Sequence, residues 1–386
     1  MLMSTKEMSE SRQPYTVKPI IYNLSSSWSD VYEINGDVRI HGISSTIFIA
    51  SSQEENSSSW TAKPYARKGD SLAMERIKEL KIKYQAIDTI PPCDQNFTIP
   101  AIVFSTGGYV GNHYHAFTDV LSRLFSTSQR FNQTVVFVIT DKSSDWTSKY
   151  KRILDKLSKY DVYDIDKESK VLCFSRVIVG LKAHKNVIAD PWDLGHHSIR
   201  NFSEYLRSVY SLGRQSVNRC RTCKIGRPRM LIICRRKSRR LLNKHAIASF
   251  ARTLGFEVVL KQMVWNVSLV AQLVNSFDVM VGVHGAGLTN MVFLPENAVV
   301  VQIVPLGLDY IARTCFQMSA ESMKLRYLDY KVTLNESSLF GNYSLDKTAK
   351  KGFEEFRSVY LDHQDINIDL GRFKRTLLRA LELVPT

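Results

Sequence analysis

Val279-Met-Val-Gly-Val-His-Gly-Ala-Gly-Leu-Thr-Asn290 runs from an apolar strand through a glycine-rich turn into a helix start. Glycines at 282, 285 and 287 let backbone N–H groups approach a ligand closely. The first turn of a following helix adds unpaired donors and a positive dipole end. A turn of this kind is built to hold an anion, and its natural ligand is a phosphate or diphosphate.

Outward from this turn the sequence alternates. Toward the N-terminus lie a strand over 230–234, a helix over 243–254 ended by Gly255, a strand over 256–260 and a helix over 268–276. Toward the C-terminus a short helix over 288–294 is closed by Pro295 and followed by a strand over 299–304. An earlier series has the same rhythm: strand 101–105, turn at Gly107-Gly108, helix 112–127, strand 134–140, helix 146–160, and strands near 162–165 and 171–179. The β-α-β-α-β order implies an α/β protein whose parallel sheet is covered by helices, and its repetition indicates two Rossmann-like halves. Ahead of both, 35–42 and 46–49 read as a hairpin-like entry. The expected division is a disordered lead-in over 1–17, an N-terminal domain over 18–212, a basic linker over 213–228, a second domain over 229–350, and a helical C-terminal segment over 351–386. In that last segment Phe373, Leu377, Leu378 and Leu381 share one face.

The 386 residues suit two domains of about 150–200 residues each. A formal charge of +15 points to an acidic partner: nucleic acid, anionic membrane or a phosphorylated small molecule. The excess is local. No acidic residue lies between Glu204 and Glu257, a span that holds eleven basic residues from Arg214 to Arg240. No stretch approaches the roughly 20 apolar residues of a membrane span, and Met1–Gln13 lacks an apolar signal core. Eight of the 17 asparagines nevertheless begin an Asn-x-Ser/Thr triplet: Asn23, Asn56, Asn96, Asn132, Asn201, Asn266, Asn335 and Asn342. That excess makes the chain a lumenal one. The missing anchor then implies a truncated or alternative form, or removal of a preceding segment. Six cysteines suit one or two bridges in an oxidising compartment. Cys220-x-x-Cys223 lacks a second pair at ligand spacing, so a loop disulfide or thiols outweigh structural zinc.

In open parallel sheets, ligands bind beyond the carboxyl ends of strands. Three loops qualify: 235–240, 284–287 and 106–115. Arg235 and Arg239 are placed to clamp a diphosphate and stabilise a departing nucleotide; the competing readings are a solvated basic loop or a nucleic-acid patch. The sequons, and the absence of any recognition motif, disfavour nucleic acid. His284 either donates to a phosphate or sugar, or is a buried turn-capping imidazole. His113, His115 and Asp119 form a further set in which Asp119, four residues on, orients His115 as a base while His113 points elsewhere; the alternative is a helix cap with Asn112. Metal binding by this set is the weaker reading.

The segments Lys63–Gly69, Pro100–Gly108, Phe174–Leu181, Gly282–Pro295 and Phe356–Asp362 together resemble plant glycosyltransferase family 61, in its grass xylan-active branch, over about Lys18 to Leu383. The resemblance implies a GT-B fold, two Rossmann-like domains facing a cleft. It implies inverting transfer of xylose or arabinofuranose from a UDP-sugar to xylan, Golgi type II membrane topology, no obligatory metal or other cofactor, and homo- or hetero-oligomers in a Golgi complex. Carried over, Arg235, Arg239, His284, Gly285, Ala286, Gly287, Leu288 and Asn290 bind the donor. Gly107, Gly108, Gly111 and Asn112 face the acceptor, and the base comes from the His113–Asp119 segment, His115 first. The chain departs from the family pattern at Ala116 (usually Asp), Tyr22, Tyr32 and Phe277 (usually Cys) and Cys234 (usually Ser). These departures motivate an alternative: a catalytically degenerate member that binds nucleotide sugar or glycan within a synthase complex.

Overall fold

The computed structural model describes residues 19–51, 58–183, 198–217, 226–341 and 352–385. The expected lead-in, half of the linker including Cys220 and Cys223, and the sequon asparagines Asn56 and Asn342 lie outside them. The architecture is mixed α/β, and its strands divide into two sheets.

The second sheet is wholly parallel, in the order Glu257–Lys261, Arg229–Ile233, Val279–Val283, Val299–Val304, Arg326–Lys331. Register is regular across its centre, with Met230 opposite Val279 and Val279 opposite Val299. Of the three inner strands, Val279–Val283 and Val299–Val304 are buried at every position, as strands covered on both faces must be. All five strands end on one edge, so the loops after 233, 261 and 283 emerge side by side. The helix Leu370–Leu383 packs back on this sheet through Phe373, Leu377 and Ala380.

The first sheet departs from expectation. Ala101–Ser105, Val136–Thr140, Val162–Asp164 and Val171–Val179 pair in parallel, as the β-α-β order requires. The Val171–Val179 strand, however, also pairs antiparallel with Tyr32–His41, and through it the sheet extends to ten mixed strands. Among the described residues helices cover one face only. The core on the other face, around Ile34, Val38, Ile47, Ile82, Ala101 and Val136, contains no helical residue. The physical reason lies in residues 20–86, whose alternating side chains make strands that pack on the central strands where a second helical layer was expected. A disulfide between Cys93 and Cys173, with Cα atoms 6.0 Å apart, ties the sheet to the segment before Gln95–Phe97.

One hydrophobic core is shared by the two halves. Phe117 of the first packs edge-on against Phe293 of the second, and both halves contribute to the same cluster. The helix Ile199–Tyr210 seals this junction, its Ser203 hydroxyl donating to the Val292 carbonyl at 2.8 Å. Among the described residues no helix is long and apolar enough to cross a membrane.

Candidate functional site

The strand Val279–Val283 and the turn after it hold one glycine that the backbone demands and two that packing demands. Gly285 sits at φ 142°, open to glycine alone, and a Cβ there would lie 2.4 Å from Arg235 Nη1 and 3.2 Å from Arg239 Nη1. At Gly282 a Cβ would meet the Leu288 side chain at 3.0 Å, and at Gly287 the Ile233 side chain at 3.2 Å. Only Gly285 therefore serves close approach. The short helix expected over 288–294 is present as the 3-10 helix Ala286–Phe293, which ends before Leu294-Pro295. Leu288 is buried beneath Gly282 and faces the core.

Arg235 and Arg239 reach this turn from the loop after Ile233. Arg235 is held by donating from Nε to the Ser238 carbonyl at 2.8 Å. Arg239 adopts φ 51°, a left-handed conformation costing a non-glycine residue about 1–2 kcal/mol, and its Nη1 donates to the His284 carbonyl at 3.1 Å. Every hydrogen bond recorded for the two is to Ser238 or His284, and among the described residues neither forms an ion pair; Arg239 Nε is buried with no acceptor. Burial, then the neighbouring charge of Arg235, lowers Arg239 to about 10, and burial lowers Arg235 as well. Two partly desolvated guanidinium groups converging on a bare peptide turn form an arrangement that can hold an anion.

His284 lies 5 % exposed beneath them, edge-on to Phe316. Its Nδ1 is 2.8 Å from the Gln302 amide nitrogen, and Gln302 in turn accepts from the Tyr327 hydroxyl at 2.8 Å. Burial and then the guanidinium groups of Arg239 and Arg235 lower its pKa to about 3, so the imidazole is neutral.

On the opposite side, Asn112 caps the helical run 113–128 by accepting from the Tyr114 amide at 2.9 Å, so the capping alternative holds for Asn112 itself. The middle of the run, Ala116–Leu121, widens into a π-helical turn, a feature frequent at functional sites. It carries Asp119 inward, where the carboxylate is fully buried. One oxygen accepts from Tyr65 Oη at 2.8 Å and Arg67 Nε at 2.7 Å, and the other from Thr118 at 2.8 Å. Burial raises the carboxyl, but Arg67 and His115 outweigh it and hold Asp119 below the usual range. His115 Nδ1 stands 3.1 Å from Asp119 and 3.1 Å from Arg67 Nη2. His113 does point elsewhere: its Nε2 reaches Asn290 Oδ1 at 3.1 Å and its Nδ1 the Tyr150 hydroxyl at 2.9 Å. Because Asn290 gives its amide hydrogens to the Gly287 carbonyl, His113 must be the donor to Asn290 and the acceptor from Tyr150. Burial and Lys149 lower it to about 3.

Between the halves lies a cavity of about 190 Å³, lined by His113 and Lys149 on one side and by Met263, Val264, Gly287 and Asn290 on the other. His115 and Asp119 do not line it. They connect to His284 through ring contacts, His115 on Tyr114, Tyr114 on Phe316, Phe316 on His284. Gly107 and Gly108 are packing glycines, pressed against the Arg76 carbonyl and the Tyr65 ring, whereas Gly111 is open.

Arg67, Lys149, Gln302 and Tyr327 were not identified from sequence. Gln302 left a signal, one polar residue in the otherwise apolar Val299–Val304; Lys149 left none. Among the described residues no three His, Cys, Asp or Glu side chains group as metal ligands would. Asn23, Asn96, Asn132, Asn201, Asn266 and Asn335 are all exposed, as glycan acceptors must be.

The model of the family described as Glycosyltransferase 61 matches residues 113–301, which hold His113, His115, Asp119, both arginines and the glycine turn. The chain is 42% identical to an alpha-1,3-arabinosyltransferase of Oryza sativa subsp. japonica over 95% of its own length. It spans only 65% of that relative. A beta-1,2-xylosyltransferase of the same organism is 38% identical, with 92% of this chain and 82% of the relative covered. A xylan glycosyltransferase of Arabidopsis thaliana is 34% identical, with 91% and 77% covered. The chain belongs to glycosyltransferase family 61.

Proposed function

We propose that the protein is an inverting pentosyltransferase that moves xylose or arabinofuranose from a UDP-sugar onto xylan in the Golgi lumen, as a member of a type II membrane protein family. The two halves would then be the acceptor domain (18–212) and donor domain (229–350) of a GT-B fold, joined by the 213–228 linker. The observation that carries the reading is the Arg235–Arg239 couple at Gly285, without an ion pair among the described residues, on a turn whose next residues Ala286 and Gly287 line the cavity between the halves. The relatives' names supply the sugar class.

In this reading an acceptor hydroxyl attacks the anomeric carbon while the bond to the diphosphate breaks on the opposite face. Arg235, Arg239 and the Gly285 turn take the charge growing on the leaving group, with no metal required for that task. His115, with Nδ1–H donating to Asp119, takes the hydroxyl proton on Nε2. The lumenal setting is supported by the Cys93–Cys173 bridge and the six exposed sequon asparagines.

One observation favours the degenerate alternative. Arg67 can only donate, so its 3.1 Å contact with His115 Nδ1 suits the tautomer that carries hydrogen on Nε2, which cannot accept a proton. Incubating the protein with UDP-xylose or UDP-arabinofuranose and xylo-oligosaccharides separates the two. Transfer that disappears in His115→Ala supports the first, transfer surviving that change rejects His115 as base, and donor binding without product supports the alternative.

A further inference from the structure

Gln302 is buried at the centre of Val299–Val304, in register with Gly282 on one side and Asp329 on the other. An amide in an apolar strand is costly unless both its ends are bonded. Here both are: its oxygen accepts from Tyr327 and its nitrogen faces His284 Nδ1. Tyr327 sets the orientation. Its hydroxyl donates to the amide oxygen and makes no other hydrogen bond among the described residues, so this orientation of the amide gives that hydrogen its acceptor. With the amide NH2 turned toward it, Nδ1 must be the acceptor, and the neutral ring carries its hydrogen on Nε2. No partner for Nε2 is recorded among the described residues, and Nε2 is not one of the buried unsatisfied atoms. The groups facing the ring are Arg235 and Arg239 from the loop after Ile233, Phe316 from the π-helical turn Arg313–Gln317, and Tyr327 behind Gln302; Asp362 acts on Arg239.

We propose that Tyr327 and Gln302 lock His284 in a single neutral tautomer, so that its Nε2–H is an uncharged third donor for the anion held by Arg235 and Arg239. This rests on the reading of that couple as a diphosphate cradle. The design has a physical rationale. A third cation would add repulsion to two guanidinium groups that already lack carboxylates, whereas a neutral N–H adds a directed bond without charge. Gln302 and Tyr327 are positioning residues that act through His284.

The test uses nitrogen-15 histidine NMR and binding of UDP-xylose, whose esterified diphosphate does not titrate near neutrality. The wild-type His284 signal, identified by its loss in His284→Gln, should show hydrogen on Nε2, and its UDP-xylose affinity should change less than about twofold between roughly pH 5.5 and 8. In Gln302→Glu the new carboxylate accepts from Nδ1–H and favours the imidazolium. Affinity should then rise about fivefold or more as pH falls across that window. His284→Gln, which offers an amide N–H near the position of Nε2–H, should bind within about threefold of wild type, and His284→Asn about 10–100-fold more weakly. A wild-type His284 signal with hydrogen on Nδ1 overturns the lock, and so does a pH-flat Gln302→Glu. Equal binding by His284→Asn and wild type overturns the donor role. Wild-type protein that binds neither inorganic pyrophosphate nor UDP-xylose overturns the cradle reading itself, and the donor role with it, while the NMR result still decides the lock.

Discussion

Arg67 and Arg239 are both guanidinium groups withdrawn from water, and their surroundings are opposite. Arg67 lies against the buried Asp119 carboxylate at 2.7 Å and reaches Asp70 at 3.4 Å. Arg239 touches a backbone carbonyl, lies near a second arginine, and has one nitrogen with no acceptor. Asp119 raises the pKa of Arg67, outweighing burial, while burial lowers that of Arg239. Folding alone accounts for the first, because each charge compensates the other. It does not account for the second, whose desolvation goes uncompensated until something anionic arrives. A half-buried cation with no ion pair among the described residues is thus a better pointer to a ligand than the count of basic residues in its loop. The exposed Arg240 in the same loop is paired with Asp365.

The comparison is broken most directly by removing each arginine in turn. Arg67→Met leaves Asp119 buried without its cation and should cost about 3–5 kcal/mol of stability. Arg239→Met should leave the urea unfolding midpoint near wild type or raise it, since it removes one of two repelling charges. It should lower turnover of a UDP-sugar by about 10²–10³-fold. If Arg239→Met unfolds as easily as Arg67→Met, the distinction between a structural and a ligand-seeking arginine fails.

Acid sharpens it next. His113 and His284 are held neutral at about 3, far below the value near 6.5 of an unfolded histidine. A depressed pKa means the unfolded chain binds the extra proton first. Their contribution is therefore complete above about pH 6.5 and is lost progressively as pH falls toward 3. Asp119, also depressed, adds a further loss below about pH 4. Stability measured by urea at successive pH values should fall from pH 6.5 downward, and His113→Gln should reduce the slope between about pH 6.5 and 4. An unchanged slope would mean that His113 is not the buried neutral bridge to Asn290.

Much of this was legible in sequence, and unevenly. Four of the five strands of the all-parallel sheet followed from strand and helix alternation, Val279–Val283 with the expected ends, whereas the edge strand Arg326–Lys331 was not expected. The mixed sheet did not, because an antiparallel extension is decided by which distant strand finds the free edge of Val171–Val179. Arg235, Arg239 and the 284–287 turn could be predicted because each follows a strand on the same sheet edge. The Arg67 network could not, since it joins residues 52 apart in sequence through a buried carboxylate. The π-helical turn was also invisible, because Asn112–Thr127 has the composition of an ordinary helix. Ala116, which stands where the family usually has Asp, belongs to the hydrophobic core, a placement that sequence comparison alone does not give.

The smallest effect concerns Lys149, which shares the cavity wall with Gly287 and Asn290 and has no recorded ion pair among the described residues. Burial lowers its pKa, and its ammonium lies 5.3 Å over the Tyr150 ring. It is intermediate between the two arginines: partly solvated, so its lack of a counter-ion costs less than Arg239's. If the bound donor extends from the arginine couple into the cavity, Lys149→Met should raise the KM for a UDP-sugar about tenfold, the lower end for a bond to a charged group because water screens it. It should leave kcat nearly unchanged, because Lys149 stands away from His115. It should also relieve the lowering of His113 and so narrow its gap from the unfolded value, moving the acid-unfolding profile slightly downward in pH. A KM that does not move would confine the donor to the arginine side and leave the cavity to another part of the substrate.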